Sequence, residues 1–152
     1  MFGVCLGSQL IAAAAGADVR RAARPEIGWY DVRLTEDAAE DPVVGPLSEQ
    51  FKALQWHSYE APLPPGAAAL ARSEVCLQSY RIGDRVWGIQ FHAEVTGQAF
   101  QHWLDIYHTD PDAVAMGLDV EAVGAEARQR MDAWNELGRG LSRRFLQVAA
   151  QL

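Results

Sequence analysis

The first nine residues, MFGVCLGSQ, constrain the fold more than any other stretch, because they predict a strand, a sharp turn and a helix in direct succession. An apolar stub leads into Cys5, which lies between Gly3 and Gly7, and an alanine-rich stretch follows. A residue at such a turn adopts strained backbone angles, and neighbours without a Cβ atom let the strand and the helix close around it. The Cys5 side chain is therefore expected to stand clear of the backbone.

A thiol at this position has a reason to be reactive. It lies just before a helix, where the positive end of the helix dipole and the free N–H groups of the first turn favour the thiolate. Cys5 is therefore the candidate nucleophile, and the backbone N–H of Leu6 is the candidate donor to the oxyanion of an acyl-transfer intermediate. The structural alternative is that Cys5 is only a small apolar residue in a glycine-rich turn.

Composition limits the classes of function. The 152 residues carry 13 basic and 20 acidic side chains, a formal charge of −7, and no basic run exceeds two residues. This charge disfavours nucleic acid or an anionic membrane as a partner. The apolar stretch near the start is too short to span a bilayer. Two cysteines far apart do not form a disulfide framework, so we expect a soluble protein of the reducing cytoplasm.

Periodicity and turn residues predict alternating strands and helices. The predicted strands cover residues 27–35, 51–56, 67–70, 75–82 and 85–92. The predicted helices cover residues 8–15, a segment after the N-cap Thr96, and residues 111–117, 120–123 and 125–150. A turn is expected at Arg24-Pro25, a loop at 37–48, and a two-residue hairpin turn at Gly83-Asp84. Strands and helices that mix in this way favour a single α/β domain whose sheet carries an antiparallel hairpin.

A cysteine nucleophile needs a base, and the base needs a group that orients it. His92 and Glu94 are two residues apart at the end of a predicted strand, so both side chains point to the same face. His108 and Asp110 form a competing pair between a helix and a proline. His102 is expected to be a partly buried surface residue within a helix, and Cys76 a small buried residue.

These motifs together resemble a class I glutamine amidotransferase domain, the Cys-His-Glu glutaminase type found in GMP synthase and its stand-alone relatives. The matching stretches are GVCLGSQ at residues 3–9, PEIGWY at 25–30, QWH at 55–57 and GIQFHAEV at 88–95. The resemblance implies a flavodoxin-like, mostly parallel sheet with an antiparallel hairpin. Residues 1–152 would form one domain, with 111–152 as a helical C-terminal extension.

The resemblance also implies a mechanism. Cys5 attacks the side-chain amide of glutamine, His92 oriented by Glu94 shuttles the proton, ammonia leaves, and water hydrolyses the thioester. Gln9 is expected to contact the substrate. His57, Ser58 and Tyr59 are expected to meet the amino-acid end of glutamine, largely through backbone groups. The family passes ammonia to a synthetase domain or partner, and no metal or cofactor is expected.

Two departures from the family pattern bear on this expectation. The family usually has proline between the catalytic histidine and glutamate, where this sequence has Ala93, so the bend there depends on packing. In the family, several strands and helices precede the nucleophile elbow, the strand–turn–helix unit around the cysteine, and they include a glycine-rich turn that donates the second oxyanion N–H. Four residues precede Cys5 here. We therefore expect an N-terminally truncated domain: a fragment, a mis-started reading frame, or a protein that has lost that half.

Two other functions stay open at this point. Hydrolysis of γ-glutamyl conjugates by a peptidase would use the same thiol chemistry on an amide with a larger leaving group. A catalytically impaired chain could instead serve as a binding or regulatory module.

Overall fold

A computed structural model describes residues 1–151, which form one six-stranded sheet with helices packed on it. The strand order is β1-β6-β5-β4-β2-β3. The strands are β1 Phe2–Val4, β2 Arg20–Leu34, β3 Gln50–Glu60, β4 Ala67–Arg72, β5 Leu77–Ile82 and β6 Val86–Ile89. The α-helices are α1 Leu6–Ala14, α2 Gly97–Asp105, α3 Pro111–Ala115 and α4 Val120–Ala149, and short 3₁₀ helices cover Glu36–Ala38 and Tyr107–Thr109.

The sheet is mixed, and the predicted α/β class is confirmed. Strand β1 pairs with β6 in parallel, and the other pairings within residues 1–151 are antiparallel. The expected mostly parallel arrangement is therefore confined to one pairing in this part of the chain. The connections between β3, β4, β5 and β6 are too short for a helical crossover, and such connections suit antiparallel strands. The longer β2–β3 connection, residues 35–49, contains only a short 3₁₀ helix. The one parallel pairing joins the two ends of the matching motifs.

Two predictions about turns need correction. Arg24-Pro25 lies within β2 and not in a turn, because the register of β2 against β3 shifts between Arg21 and Glu26, and such an irregularity tolerates a proline without an N–H donor. The hairpin loop has three residues and not two, since Ile82 pairs with Val86. Within that loop Gly83 has a φ of 54°, which suits glycine.

The last helix is longer than predicted. The break expected between residues 123 and 125 is absent, and α4 continues through Gly124. A Cβ atom at Gly124 would lie 3.4 Å from a methyl group of Leu104 in α2, so the glycine allows the two helices to approach closely. An isolated glycine in a helix costs about 1 kcal/mol, which tertiary packing can offset. The N-cap is Asp119, whose carboxylate accepts a hydrogen bond from the Ala122 N–H.

Two apolar clusters hold the helices on the sheet. The larger cluster contains Trp134 of α4, which packs edge-to-face against Trp29 of β2 and against Phe91, with ring centroids 5.6 and 5.8 Å apart. A smaller, separate cluster holds α1, and within it the Tyr80 hydroxyl donates to the Ser8 carbonyl at 2.6 Å. No helix among residues 1–151 is long and apolar enough to cross a membrane.

The two glycines around Cys5 differ in whether a side chain would fit at their positions. A Cβ atom at Gly3 would lie 2.7 Å from the backbone carbonyl of Gly7, whereas a Cβ atom at Gly7 would meet nothing within 4 Å in the described chain.

We predict that Gly3→Ala lowers the free energy of unfolding by about 1–3 kcal/mol through overpacking. Gly7→Ala should leave it unchanged or raise it by up to about 1 kcal/mol. Urea denaturation of both variants checks this, and equal destabilisation would contradict it.

Candidate active site

Cys5 occupies the sharp turn between β1 and α1 that the sequence predicts. Its backbone has a φ of 47° and a ψ of −106°, and it is the one non-glycine residue with a positive φ in residues 1–151. Such a conformation costs about 1–3 kcal/mol and persists where the surroundings fix it. Here the Cys5 N–H donates to the Ile89 carbonyl at 2.8 Å, and the Cys5 carbonyl accepts from the Gln9 N–H at 3.0 Å. Strand and helix therefore both hold the turn.

His92 and Glu94 form a pair on the segment that follows β6. The strand ends at Ile89, so His92 does not end a strand as the sequence suggested, but its N–H still donates to the Leu54 carbonyl at 2.9 Å. Its Nδ1 atom lies 2.7 Å from Oε1 of Glu94. On its other side, the imidazole packs edge-on against Trp103, with centroids 5.0 Å apart. The ring orientation is thus fixed by a carboxylate and an aromatic wall.

The electrostatics of this pair favour a protonated imidazole. Burial lowers the pKa of His92, but the hydrogen bonds and charges of Cys5 and Glu94 outweigh burial and raise it to about 9. At neutral pH His92 is therefore an imidazolium beside the Cys5 sulfur. A proton is available there for a leaving group.

Cys5 and His92 line the same cavity, which has a volume of about 330 Å³. Its other lining residues are Trp56, Trp103, Ile106, Thr109 and Asp110. Sequence reasoning did not assign Trp56 or Trp103 to a site, and it offered Asp110 only as the partner of His108. The structure does not pair His108 with Asp110, because Asp110 accepts from Nε1 of Trp56 at 2.8 Å and caps α3. Asp110 therefore serves as a wall residue of the cavity and does not orient His108 as a competing base.

The residues expected to bind substrate lie on β3 and α1. The Gln9 side chain is buried and donates to the Tyr59 carbonyl at 3.0 Å and to Oε1 of Gln90 at 3.1 Å. The Tyr59 ring is half exposed, with the Arg21 guanidinium 5.4 Å above it. Leu6 begins α1 and its side chain is exposed. Its amide belongs to the first helical turn, which lacks intrahelical acceptors.

His57 and Ser58 of β3 turn to different neighbours. The His57 imidazole is buried, and its Nε2 atom lies 3.1 Å from Oε2 of Glu26. Ser58 hydrogen-bonds Asp112 of α3 and helps to lower the pKa of that carboxyl group. The His57 side chain is thus directed into the interior of the protein. Substrate contact by these residues stays a prediction.

One buried cluster in residues 1–151 has side chains of a kind that bind metals. Ligand atoms of Glu26, His57 and Cys76 all lie within 4.8 Å of one another. The amide of Gln78 hydrogen-bonds two of them, since its Nε2 atom lies 2.8 Å from Oε2 of Glu26 and 3.3 Å from Sγ of Cys76. Burial also raises the pKa of the Cys76 thiol well above its usual range. The cluster is therefore a hydrogen-bonded structural one.

Helix α4 restrains the backbone around His92 and Glu94. Trp134 donates through Nε1 to the His92 carbonyl at 2.8 Å, and Asn135 donates through Nδ2 to the Val95 carbonyl at 2.8 Å. Further along the same helix, Gly138 lies so close to Ala93 that a Cβ atom on the glycine would overlap the Ala93 carbonyl oxygen. Packing by α4 thus restrains the segment in which the family usually has a proline. Sequence patterns did not connect α4 with the site.

Comparison with known proteins shows the family to which the chain belongs. The family model described as glutamine amidotransferase class-I matches residues 1–105, and the chain belongs to that family. The glutamine amidotransferase-like protein YfeJ of Salmonella typhimurium is 37% identical over 102 residues, 66% of this chain and 43% of YfeJ. A glutamine-hydrolysing GMP synthase subunit of Sulfolobus acidocaldarius is 38% identical over 96 residues, 61% of this chain and 50% of that protein. The chain thus spans about half the length of these curated relatives.

Solved structures match the fold over nearly the whole chain. A glutamine amidotransferase from Thermotoga maritima has a TM-score of 0.83 at 29% identity, covering 95% of this chain and 61% of that protein. A glutamine amidotransferase from Methylobacillus flagellatus has a TM-score of 0.81 at 25% identity, covering 97% and 62%. Because these matches extend beyond residue 105, the fold similarity includes most of the helical C-terminal region.

The contact between α4 and the His92 segment can be tested with two glycines of the same helix. Gly138→Ala should lower the free energy of unfolding by about 3 kcal/mol or more, because its Cβ atom would overlap a backbone oxygen. Gly140→Ala should be nearly neutral, since its Cβ atom would lie 3.1 Å from the end of the flexible Arg144 side chain. Urea denaturation compares the variants. Similar midpoints for the two would show that the Ala93 contact is not tight.

The charge of His92 should make stability depend on pH. The pKa is raised from 6.5 to about 9, so the stabilisation is fully present below about pH 6.5 and lost as pH rises through 9. The difference in unfolding free energy between the wild type and His92→Gln should therefore shrink across this range. Replacing the exposed His102 by glutamine gives the control, which should not reproduce the trend. A constant difference from about pH 6 to 9.5 would contradict the assignment.

Proposed function

We propose that this chain carries a glutaminase site, which hydrolyses the side-chain amide of glutamine and releases ammonia for transfer. The observation that carries the proposal is the strained Cys5 elbow facing His92, which is itself oriented by Glu94, in one cavity. Membership of the class I glutamine amidotransferase family supports the same chemistry. The curated relatives above favour glutamine over a larger γ-glutamyl conjugate as the substrate.

In the first half-reaction, the Cys5 thiolate attacks the amide carbon of glutamine and forms a carbon–sulfur bond. The carbonyl π electrons move to oxygen, and the N–H of Leu6 donates to this oxyanion. His92 then gives its proton to the amide nitrogen. The carbon–nitrogen bond breaks, ammonia leaves, and a γ-glutamyl thioester and a neutral imidazole remain.

In the second half-reaction, His92 removes a proton from water as the water oxygen attacks the thioester carbon. The tetrahedral intermediate collapses with cleavage of the carbon–sulfur bond. Glutamate leaves, while the thiolate and the imidazolium are restored. Glu94 changes no bond in this cycle, because its role is to hold the Nδ1 side of His92 so that the other ring nitrogen serves the reacting atoms.

Glutamine recognition is proposed to come from the elbow and from β3. The Gln9 side chain and the backbone of His57, Ser58 and Tyr59 would hold the amino-acid end of the substrate. Support comes from the contact between Gln9 and the Tyr59 carbonyl, which brings the two elements together. The tryptophan-lined cavity would exclude water from the thioester, so that hydrolysis uses the water that His92 activates.

The acceptor of ammonia is proposed to be a synthetase, on the same or a separate polypeptide. Several relatives are named as one of the subunits of a glutamine-hydrolysing GMP synthase, a name that indicates a separate chain. A reducing cytoplasm would keep Cys5 and Cys76, both free thiols in the structure, in the active form.

We predict that Cys5→Ser and His92→Ala each lower glutamine hydrolysis by roughly 10³-fold or more, because each removes a group that forms or breaks bonds. Glu94→Gln should give an intermediate loss, since the base remains but is held less firmly. His108→Asn is the matched histidine control and should keep wild-type activity. Coupled assays of glutamate and ammonia measure the rates. Loss of activity in His108→Asn with retention in His92→Ala would overturn the assignment.

The assay should compare two forms, because the chain spans about half the length of its relatives. One form is the 152-residue chain, and the other adds any in-frame coding sequence upstream of Met1. A glutamine analogue with an electrophilic γ-carbon should label Cys5 in at least the longer form. Failure of both turnover and labelling in both forms would overturn the glutaminase proposal.

A further inference from the structure

The mechanism does not use the fully buried carboxyl group of Glu26 in β2. Carboxylates are seldom fully buried unless they are paired. The contacts of Oε2 in the described chain are Nε2 of Gln78 at 2.8 Å, Oγ of Ser73 at 3.1 Å, Nε2 of His57 at 3.1 Å and Sγ of Cys76 at 3.5 Å. Among these, His57 alone can carry a positive charge. Glu26 and His57 therefore act as a unit.

The contacts of His57 fix its tautomer. Its Nδ1 atom lies 3.0 Å from the Tyr59 carbonyl, which can only accept, so Nδ1 carries a hydrogen. The other nitrogen, Nε2, faces Oε2 of Glu26 at 3.1 Å. This contact is at ion-pair distance but outside hydrogen-bond geometry, so it places the imidazole edge against the carboxylate. The imidazole is held at both ends and in turn holds the Tyr59 carbonyl.

The Tyr59 carbonyl connects this pair to the nucleophile. It accepts a second hydrogen bond from Nε2 of Gln9, which also donates to Oε1 of Gln90 at 3.1 Å. Gln90 then donates through Nε2 to Sγ of Cys5 at 3.4 Å. Both glutamines are buried, so solvent competes little for these bonds. The contacts run without a gap from Glu26 to the Cys5 sulfur.

We propose that Glu26 and Gln90 are positioning residues, joined through His57, the Tyr59 carbonyl and Gln9, that hold the Cys5 sulfur and the glutamine-binding strand in register. We call this series of contacts the glutamine relay. It approaches Cys5 through Gln90, whereas the proton-transfer pair approaches it through His92. The effect on the sulfur is independent of the proposed function, and the effect on glutamine binding rests on it.

The relay has a physical purpose in thiol chemistry. A hydrogen bond from Gln90 favours the charged form of the sulfur and limits its rotation, so that less positioning is left to the moment of attack. The same relay fixes the carbonyl of the strand expected to bind the substrate. A displacement of about 1 Å can cost on the order of 10²-fold in rate, so one relay that sets both positions has a measurable effect.

The test measures the rate of Cys5 alkylation by iodoacetamide across pH, with peptide mapping to exclude the buried Cys76. Gln9→Met should slow alkylation roughly 3- to 10-fold at neutral pH and move the profile to higher pH, because the hydrogen bond to the sulfur is weakened. Glu26→Gln should act in the same direction. The titratable groups around the sulfur, His92 with Glu94 behind it and Asp110 across the cavity, are unchanged in both variants.

Matched controls on the surface are Gln101→Met in α2 and Glu136→Gln in α4, and both should keep the wild-type profile. If Glu26→Gln does not fold, Gln9→Met decides the outcome, provided that its melting temperature stays near that of the wild type. An unchanged alkylation profile in folded Gln9→Met would overturn the relay. In active protein, the KM for glutamine should rise in both relay variants. Slowed alkylation in the relay variants would sustain the relay even if neither wild-type form showed glutamine turnover or labelling by the analogue, a result that would reject the glutaminase.

Discussion

The parallel pairing of β1 with β6 is the constraint on which the rest of the site depends. It aligns Phe2 with Trp87, Gly3 with Gly88 and Val4 with Ile89, and so brings the two ends of the motif-bearing region together. The hydrogen bond from the Cys5 N–H to the Ile89 carbonyl continues this ladder into the elbow. Without the pairing, the cost of the positive φ at Cys5 would not be offset, and the thiol would not face the segment that carries His92.

The pairing fixes one side of the His92 segment, and α4 fixes the other. The helix lies outside residues 1–105, to which the family model matches, yet three of its residues contact the backbone between His92 and Val95. A proline would limit φ at residue 93 from within the chain. Here Ala93 leaves that angle free, and the helix restricts it from outside. The conformation of the His92–Val95 segment, which carries a family motif, therefore depends on packing against α4.

The sequence predicted what depends on local order along the chain. The elbow depends on Gly3, Cys5 and the helix that follows, and the His92–Glu94 pair depends on spacing two residues apart, so both motifs can be recognised without a structure. Contacts between distant residues could not be recognised in this way. The sequence suggested Asp110 as a partner of His108. In the structure, however, the Asp110 carboxylate accepts a hydrogen bond from Trp56, which is distant in sequence. Likewise, a register shift in β2 accommodates Pro25, and no local pattern reveals register between strands.

Cys5 is held by two sets of contacts that differ in chemistry. The His92 side combines an imidazolium with the exposed carboxylate of Glu94, so its charge state responds to pH and solvent. The Gln90 side ends in amide groups, which do not titrate and are buried. Proton transfer requires a group that changes charge, whereas positioning is best served by groups that do not. A thiol between an imidazolium and a fixed amide can thus gain and lose charge during a reaction while its sulfur stays in place.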